Sequence, residues 1–573
     1  MRLLNKNVFT SFRIKSLVVV LPTMFLVAVS NAYSSNNISQ NVIDQMARDS
    51  EQRLRDQRAI QDALLPQSIQ KQTFDSIAPK KTNIAKGGPC FWIKKTQLID
   101  DSNLLPTPLD FQKLNNTCAD KKALVELVER LNVYYQQKGL ITTRVYLKPQ
   151  NLKSGNLVLV AKAGLLQDFS FSDGKEVDRR VHNAYPFKKG ELISLREMEQ
   201  GLDNLNRLKS QSAKAQLQPG KQLGDSILDI TIKNEKPWRA NFGLNNYGVA
   251  STGKKNGSFG FELDNLFNAN DDLSLGYNQN TDANSARKRN RSVSMNYNIP
   301  YKNWLFQLST SRYKYKRIIQ GVNQEYQING HNRNRRIGVE KLISRDQQSR
   351  IYLTTSLNLK KSRNYIEGIE IESQYRELTL FEVGFRGDHQ FANQNFIDWT
   401  ISAGRNYKGL TDMHTIPGFA DDDFAYLRGG FKLDVPINNR KFLYSTQAFF
   451  QYSENELTGS EQFSAGGMSS VRGFHNASIY GNSGLYWRNN FSTAERNISG
   501  WKLKPTLSFD IGAVKSPKSI TWSKPFVAGI AASITAKYND KLSLKFDVSR
   551  AVNRPTQLVG DKNHAFFSIN YAF

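Results

Sequence analysis

At 573 residues the chain is too long for one ordinary domain, although a large barrel takes over roughly 300 residues by itself. Lys and Arg number 78 against 51 Asp and Glu, a formal net charge of +27 that points to nucleic acid or an anionic membrane surface. Nucleic acid is set aside: the basic residues are spread along strand-like segments, with no helix-turn-helix pattern, zinc-finger spacing or aromatic RNA-binding signature.

The N-terminus reads as a signal peptide over residues 1–32. Arg2, Lys6, Arg13 and Lys15 form a basic region, and Leu17 to Val29 is apolar apart from Pro22 and Thr23. Ser30-Asn31-Ala32 offers small residues for cleavage after Ala32. An uncleaved anchor is the alternative, but the run falls short of the ~20 residues that span a bilayer as a helix. Beyond Ala32 no apolar run is long enough for a membrane helix, so an exported chain of this kind is either soluble or a β-barrel.

Residues 33–65 contain a helix-like stretch in which Ile38, Val42, Met46, Leu54 and Ile60 are sparse among polar residues. Such a helix is too polar for a dry core and must be solvated or line a wet cavity. Residues 66–88 read as a linker rich in Pro, Lys and Gly. The two cysteines, Cys90 and Cys118, predict one disulfide behind an export signal, with two buried free thiols as the alternative.

A first small α/β unit is expected over 89–164. Cys90 to Leu98 alternates like a strand, and Leu124, Leu127, Val128, Leu131 and Tyr135 share one face of a helix from Asp120 to Lys138 that Gly139 ends. Strands follow at Thr142–Leu147 and Leu157–Val160. A second unit over 165–236 repeats the order: a strand at Asp168–Phe171, a helix from Leu195 to Lys209, and strands near Ala213–Gln218 and Ile227–Ile232.

From 237 to 573 no helix is expected. Segments of about ten alternating residues separated by turns are the signature of an outer-membrane barrel. Val293, Met295, Tyr297 and Ile299 face one way and Ser292, Ser294, Asn296 and Asn298 the other, before a turn at Pro300–Asn303 and a matching return strand from Trp304. A soluble sandwich has the same period, but recurrence over the whole C-terminal half behind a signal peptide favours the barrel. The final strand places Phe567, Ile569, Tyr571 and the terminal Phe573 on one face. On the apolar face, away from the short turns, come cations: Arg287, Arg289 and Arg291, then Arg312, Lys314 and Lys316, and in the next hairpin Arg333, Arg335, Lys361 and Arg363. They are expected to meet lipopolysaccharide phosphates at the outer leaflet, the alternative being solvated loop bases.

Val471-Arg472-Gly473-Phe474 stands in a Gly/Ser-rich segment, Ala465 to Ser470. An arginine that folds inward needs a carboxylate, since an unpaired buried charge is too costly. Leu507, Phe509, Ile511 and Ala513 form the apolar face of a later strand, so Ser508, Asp510 and Gly512 face the lumen. Asp510 is therefore the expected partner of Arg472, with Gly512 leaving room for the loop. A solvated loop arginine is the alternative.

Taken together, these pieces resemble the two-partner secretion transporters, the haemolysin secretion/activation or filamentous-haemagglutinin-transporter family. The most specific stretch runs from Gly139 through Thr142, Thr143 and Arg144 to Gly155, similar to the hallmark of that family's first POTRA module. Cys90 and Cys118 match its cysteine pair, and Val471 to Phe474 its sixth extracellular loop. Asp510 and Gly512 fit the superfamily's barrel-wall motif, which departs at Ser508, where an aromatic residue or glycine is usual. The resemblance implies a mainly β fold: a 16-stranded transmembrane antiparallel barrel, two periplasmic POTRA units and an N-terminal plug helix. It also implies export of a large unfolded exoprotein (a haemolysin, an adhesin or a contact-dependent inhibition toxin). Arg472 and Asp510 would lock the loop inside the pore, and Tyr571 and Phe573 would act as the C-terminal signal read by barrel assembly machinery, with periplasmic chaperones assisting. The chain is expected to be a monomer and not an enzyme, with no cofactor and no metal. It has no phosphate-binding loop or His/Glu metal motif, and its six histidines are scattered. An assembly insertase of the same superfamily is the runner-up; it would carry more POTRA units and no plug. A passive porin would need no periplasmic units.

Overall fold

The computed structural model describes residues 89–573 except 283–286, 321–323, 408–411, 414–420, 476 and 518–520. The expected signal peptide, polar helix and linker lie outside the described residues.

The first unit contains β1 (Phe91–Ile93), β2 (Lys95–Asp100), β3 (Thr117–Ala119), α1 (Lys121–Gln137), β4 (Arg144–Leu147) and β5 (Asn156–Lys162). Asp120 caps α1 by accepting from the Ala123 N–H at 2.8 Å. Leu124, Leu127, Leu131 and Tyr135 bury the α1 face against Ile93, Val145, Leu157 and Leu159. The single strand expected from Cys90 to Leu98 is instead two strands in different sheets. The Gly155 carbonyl accepts from both the Lys94 and Lys95 N–H groups, at 2.7 and 3.2 Å, and the chain turns from one sheet to the other there. Thr142 and Thr143, expected in a strand, lie in the turn before β4, where the Thr143 N–H donates to the Leu140 carbonyl.

The second unit contains β6 (Leu165–Phe171), α2 (Arg179–Ala184), α3 (Leu195–Asn206), β7 (Gln211–Pro219) and β8 (Asp225–Asn234). Sheet order is β2-β5-β4 in the first unit and β6-β8-β7 in the second, each with one parallel and one antiparallel pairing, so the repeat is one of topology. The short helix α2 was not expected. It has six residues and commits only Val181, Asn183 and Ala184 to the interior, too little to register as a period.

Sixteen long strands then close a barrel. They are β9 (Trp238–Asn245), β10 (Asn256–Asp264), β11 (Asp272–Asn280), β12 (Arg289–Tyr301), β13 (Trp304–Gln320), β14 (Glu325–Arg345), β15 (Ser349–Ile366) and β16 (Arg376–Gln390). The second half is β17 (Phe396–Asn406), β18 (Ala425–Ile437), β19 (Phe442–Tyr452), β20 (Ser483–Thr493), β21 (Trp501–Lys515), β22 (Phe526–Tyr538), β23 (Leu542–Asn553) and β24 (Asn563–Ala572). Each pairs antiparallel with the next, and β24 returns to β9 with Tyr571 opposite Phe242 and Ile569 opposite Leu244. Closure leaves no unpaired edge, which is the condition for crossing lipid with strands. The outward faces carry exposed apolar residues such as Phe306, Leu308, Ile337, Phe385, Phe509 and Ile569, as a lipid-facing surface requires.

The second unit meets the barrel at a short turn. The Lys302 N–H donates to the Asn183 carbonyl at 2.6 Å, and Asn204 Nδ2 donates to the Lys302 carbonyl at 2.8 Å. The short turns therefore share an end with the small units, and the long connections lie at the other.

Candidate functional site

The connection between β19 and β20 does not extend away from the barrel. Its short strands Phe463–Ala465 and Ile479–Gly481 pair with each other, and Val471 and Phe474 pack with Phe463, Ile479, Val514 and Val527 in a buried apolar cluster. That cluster holds the loop against the inner wall, and within it the loop's arginine meets the wall's carboxylate.

Arg472 Nη2 lies 2.5 Å from Asp510 Oδ1, and Nε lies 2.6 Å from Oδ2. The Arg472 backbone N–H also donates to Oδ2, at 3.0 Å. Nη1 donates to Ser508 Oγ at 2.8 Å and to Asn490 Oδ1 at 2.7 Å. Asp510 is fully buried. A bidentate guanidinium–carboxylate pair whose Nη1 group is also bonded to two neutral oxygens meets the conditions under which a desolvated ion pair holds. Ser508 departs from the usual motif, and its hydroxyl here accepts from Arg472 and donates to Asn490 at 3.0 Å. Gly512 leaves the space the loop occupies: a Cβ there would sit 2.6 Å from Ala465 Cβ and 2.9 Å from Val471 Cγ2. Gly473 turns the loop with φ +92°.

Sequence reasoning missed three features. The first is Gly529 of β22, where a Cβ would fall 1.7 Å from the Arg472 carbonyl oxygen, so the neighbouring strand also admits the loop only as glycine. The second is Glu461, fully buried at the base of the same loop. Its carboxylate lies 2.7 Å from Lys360 Nζ on β15 and 3.3 Å from Arg428 Nη2 on β18, so the base is tied to one side of the wall and the tip to another. Glu461 stands in a stretch without period, and nothing in its neighbours marks it.

The third is an ionic seam between the second unit and the barrel rim. Asp203 of α3 lies 2.7 Å from Arg345 Nη1 and 2.9 Å from Arg350 Nη1. Arg345 Nε also meets Glu199 at 3.3 Å, and Arg350 Nε meets Asp388 at 3.0 Å. Asp264 of β10 adds a bond across the seam, accepting from the Ser210 N–H at 3.0 Å, and is itself paired with Arg239 of β9 at 2.8 and 2.9 Å. All five groups of the central cluster are largely buried, with side-chain exposures of 4 to 11 %.

The other expected residues sit in two places. Cys90 and Cys118 are joined, with Cα atoms 5.5 Å apart. Gly139, with φ +86°, ends α1, and its carbonyl accepts from the Leu195 N–H at 2.8 Å. Thr143 Oγ1 accepts from the Gly164 N–H at 3.4 Å, and Arg144 Nη1 donates to the Ile141 and Thr143 carbonyls at 2.6 and 2.8 Å. The Gly139–Arg144 stretch is thus the joint between the two units, and the Gly155 carbonyl holds the bend at Lys94 between β1 and β2. At the barrel seam the Phe573 N–H donates to the Ala240 carbonyl at 2.9 Å, and the Phe573 ring contacts those of Tyr571 and Phe242. Among the described residues no group of His, Cys, Asp and Glu could hold a metal ion.

Comparisons with known proteins match both the small units and the barrel. The family model described as haemolysin secretion/activation protein ShlB/FhaC/HecB matches residues 224–536. A ShlB-type POTRA model matches 91–164 and a second POTRA model matches 166–219. The outer membrane transporter CdiB-2 of Burkholderia pseudomallei (strain 1026b) is 26% identical over 524 residues, covering 87% of each chain. The hemolysin transporter protein ShlB of Serratia marcescens is 26% identical over 541 residues, covering 92% of this chain and 95% of its own. In fold, the chain is similar to CdiB from Escherichia coli, with a TM-score of 0.81 at 24% identity over 95% of this chain and 100% of that one.

Proposed function

Because the chain belongs to the haemolysin secretion/activation protein ShlB/FhaC/HecB family, whose members are outer-membrane transporters with POTRA units in the periplasm, we propose that it exports one large unfolded exoprotein through its barrel. The observation that carries this reading is the seated loop, with Arg472 bonded to Asp510 inside the lumen. A loop fixed against the inner wall by a buried ion pair narrows the lumen and gives it a fixed shape. A protein-conducting pore needs both, because it must stay narrow at rest and hold a reproducible wall during transit.

The exoprotein would first bind the POTRA units. In each unit the outer strands, β2 and β4 or β6 and β7, border a three-stranded sheet, and an extended segment can add to such an edge through backbone hydrogen bonds. Residues 33–65 would act as the plug that occupies the pore between rounds, with 66–88 long enough to let it leave. No nucleotide-binding loop accompanies the pore, so folding of the exoprotein outside the cell would drive export. The chain would work as a monomer, and barrel assembly machinery with periplasmic chaperones would insert it, reading the strand that ends in Tyr571 and Phe573.

A strain lacking the chain tests the proposal. It should accumulate one very large exoprotein inside the cell, and re-expression should restore its secretion. Normal secretion of every large exoprotein in the deletion strain would overturn it. Channel conductance should rise when residues 33–65 are removed; an unchanged conductance would overturn the plug.

A further inference from the structure

Four consecutive strands, three of them the barrel's longest, carry a charged surface that the loop and the periplasmic units do not use. On the outward face of β12, Ile299, Tyr297, Met295 and Val293 give way to Arg291 and Arg289. On β13 the same face runs from Trp304, Phe306 and Leu308 to Arg312, Lys314 and Lys316. On β14 and β15, Ile337 and Leu357 are followed outward by Arg333 and Lys361.

The strand register decides what these cations do. Arg289 lies opposite Lys316, Arg291 opposite Lys314, Arg312 opposite Arg333, and Arg333 opposite Lys361. Like charges directly opposite one another destabilise a sheet. The carboxylates on this face lie only at its margins: Glu377 beside Lys361 at 2.7 Å, Glu370 beside Arg363 at 3.6 Å, and Glu325 beside Arg287. Among the described residues Arg289, Arg291, Arg312, Lys314, Lys316 and Arg333 have no ion pair. Nor are these loop bases that swing apart in water. They stand in paired strands, backed on the inner face by a buried cluster of Tyr313, Tyr315 and Ile328.

Their height is equally specific. The ten residue steps from Tyr301 at the short turn to Arg291 rise about 25 Å, at ~3.3 Å per step and a tilt of ~40°, which is the height of a barrel's apolar band. The cations thus begin where hydrocarbon ends. The feature is one-sided: the outward ends of β20 and β21 carry Leu485, Trp487, Ile511 and Ala513, with Lys515 as the single cation.

We propose that this belt across β12 to β15 binds an outer-leaflet glycolipid carrying more than one phosphate, each phosphate bridging an opposed cation pair. Arginine presents its N–H groups to phosphate in a bidentate fork, and lysine adds a point charge. The assignment rests on the chain's place in the outer membrane and not on its cargo.

The test uses the purified full chain in nanodiscs of phosphatidylcholine doped with bis-phosphorylated lipid A or with its dephosphorylated form. The native chain should bind the phosphorylated lipid selectively. The triple variant Arg291→Gln, Lys314→Gln, Arg333→Gln should bind it on the order of 100-fold more weakly, from the attraction each cation contributes at an anionic surface. Lys314→Gln alone should lose about 5-fold, and carries the test if the triple variant lacks the heat-modifiable migration of a folded barrel. Equal binding of both lipids by the native chain, or unchanged binding by the variants, overturns the proposal. So does full competition by millimolar inorganic phosphate, which would make the site one for a free anion, or loss of exoprotein secretion with lipid binding intact, which would assign the belt to the cargo. Lipid binding by the native chain alongside normal secretion in the deletion strain would overturn the transport reading alone.

Discussion

Two of the buried ionic clusters, at the tip of the inner loop and at the periplasmic rim, are built on opposite plans. In the lumen one arginine meets one carboxylate, and every other contact of Arg472 is with a neutral oxygen of Ser508 or Asn490. At the periplasmic rim two arginines, Arg345 and Arg350, share three carboxylates, Glu199, Asp203 and Asp388. The first arrangement fails when either member is removed, because the survivor is left charged and buried. The second keeps a counter-charge for each arginine after any one carboxylate is lost. One-to-one pairing suits a loop whose position is switched or sensed, and shared pairing suits a joint that must hold while the exoprotein is drawn past it.

The largest effect is expected from breaking the one-to-one pair. Arg472→Ala leaves Asp510 without a cation, at a cost to the seated loop of about 3–5 kcal/mol. Asp510→Ala does the same from the other side. Each should abolish secretion and raise the conductance of the purified channel, while heat-modifiable migration still reports a folded barrel. Normal secretion from both variants would remove the lock from the mechanism.

The disulfide is a covalent control for the ionic anchors. Cys90 and Cys118 stand 28 residues apart in sequence, and losing their cross-link should cost the first unit about 3–4 kcal/mol. Cys90→Ser with Cys118→Ser should speed hydrogen exchange in β1, β3 and α1 and leave the barrel's exchange unchanged. If the barrel loosens as well, the first unit is coupled to the pore more tightly than its contacts with the second unit around Gly139 and Gly164 imply.

Asp203→Asn probes the shared plan. It removes the carboxylate common to both arginines but leaves Glu199 with Arg345 and Asp388 with Arg350. A loss of about 1–3 kcal/mol is expected, the ordinary cost of a weakened buried hydrogen bond. It should appear as faster exchange in α3, with secretion reduced and not abolished. Loss as complete as that of Arg472→Ala would mean that sharing confers no redundancy.

These clusters also differ in how well the sequence discloses them. Asp510 could be turned toward the lumen because a strand has period two, and Leu507, Phe509 and Ile511 fix the other face. The barrel and the inward and outward faces of its strands were legible for the same reason, repeated over many strands. Glu461 lies in a segment with no period, so nothing tells its carboxylate from a solvated one. Arg345 and Arg350 flank a turn, where cations are ordinary, and Asp203 sits on a helix whose partner is a different domain. The first strand failed differently. Alternation from Cys90 to Leu98 is real, yet the Gly155 carbonyl bends the chain at Lys94, and a backbone acceptor some sixty residues away leaves no trace in a local pattern.

The smallest effect separates a local cap from all of these anchors. Asp100, in the first unit, accepts from the Ser102 N–H and hydroxyl at 2.9 and 2.6 Å and from the Leu105 N–H at 2.8 Å. Burial works to raise its pKa, but the hydrogen bonds from Ser102, Leu105 and Leu104 together hold it below the ordinary 3.8. A carboxylate depressed on folding contributes stability that is present in full above the unfolded value and is lost as pH falls through the folded one. The turn after β2 should therefore keep its exchange protection down to about pH 4 and lose part of it below, where the unfolded chain begins to bind the proton first. Asp100→Asn should flatten that dependence without altering secretion. The seam and the lumen pair lie in other parts of the molecule, so an acid response in their exchange that follows the same variant would show that the first unit's turn is coupled to the barrel, and that three separately built anchors act as one.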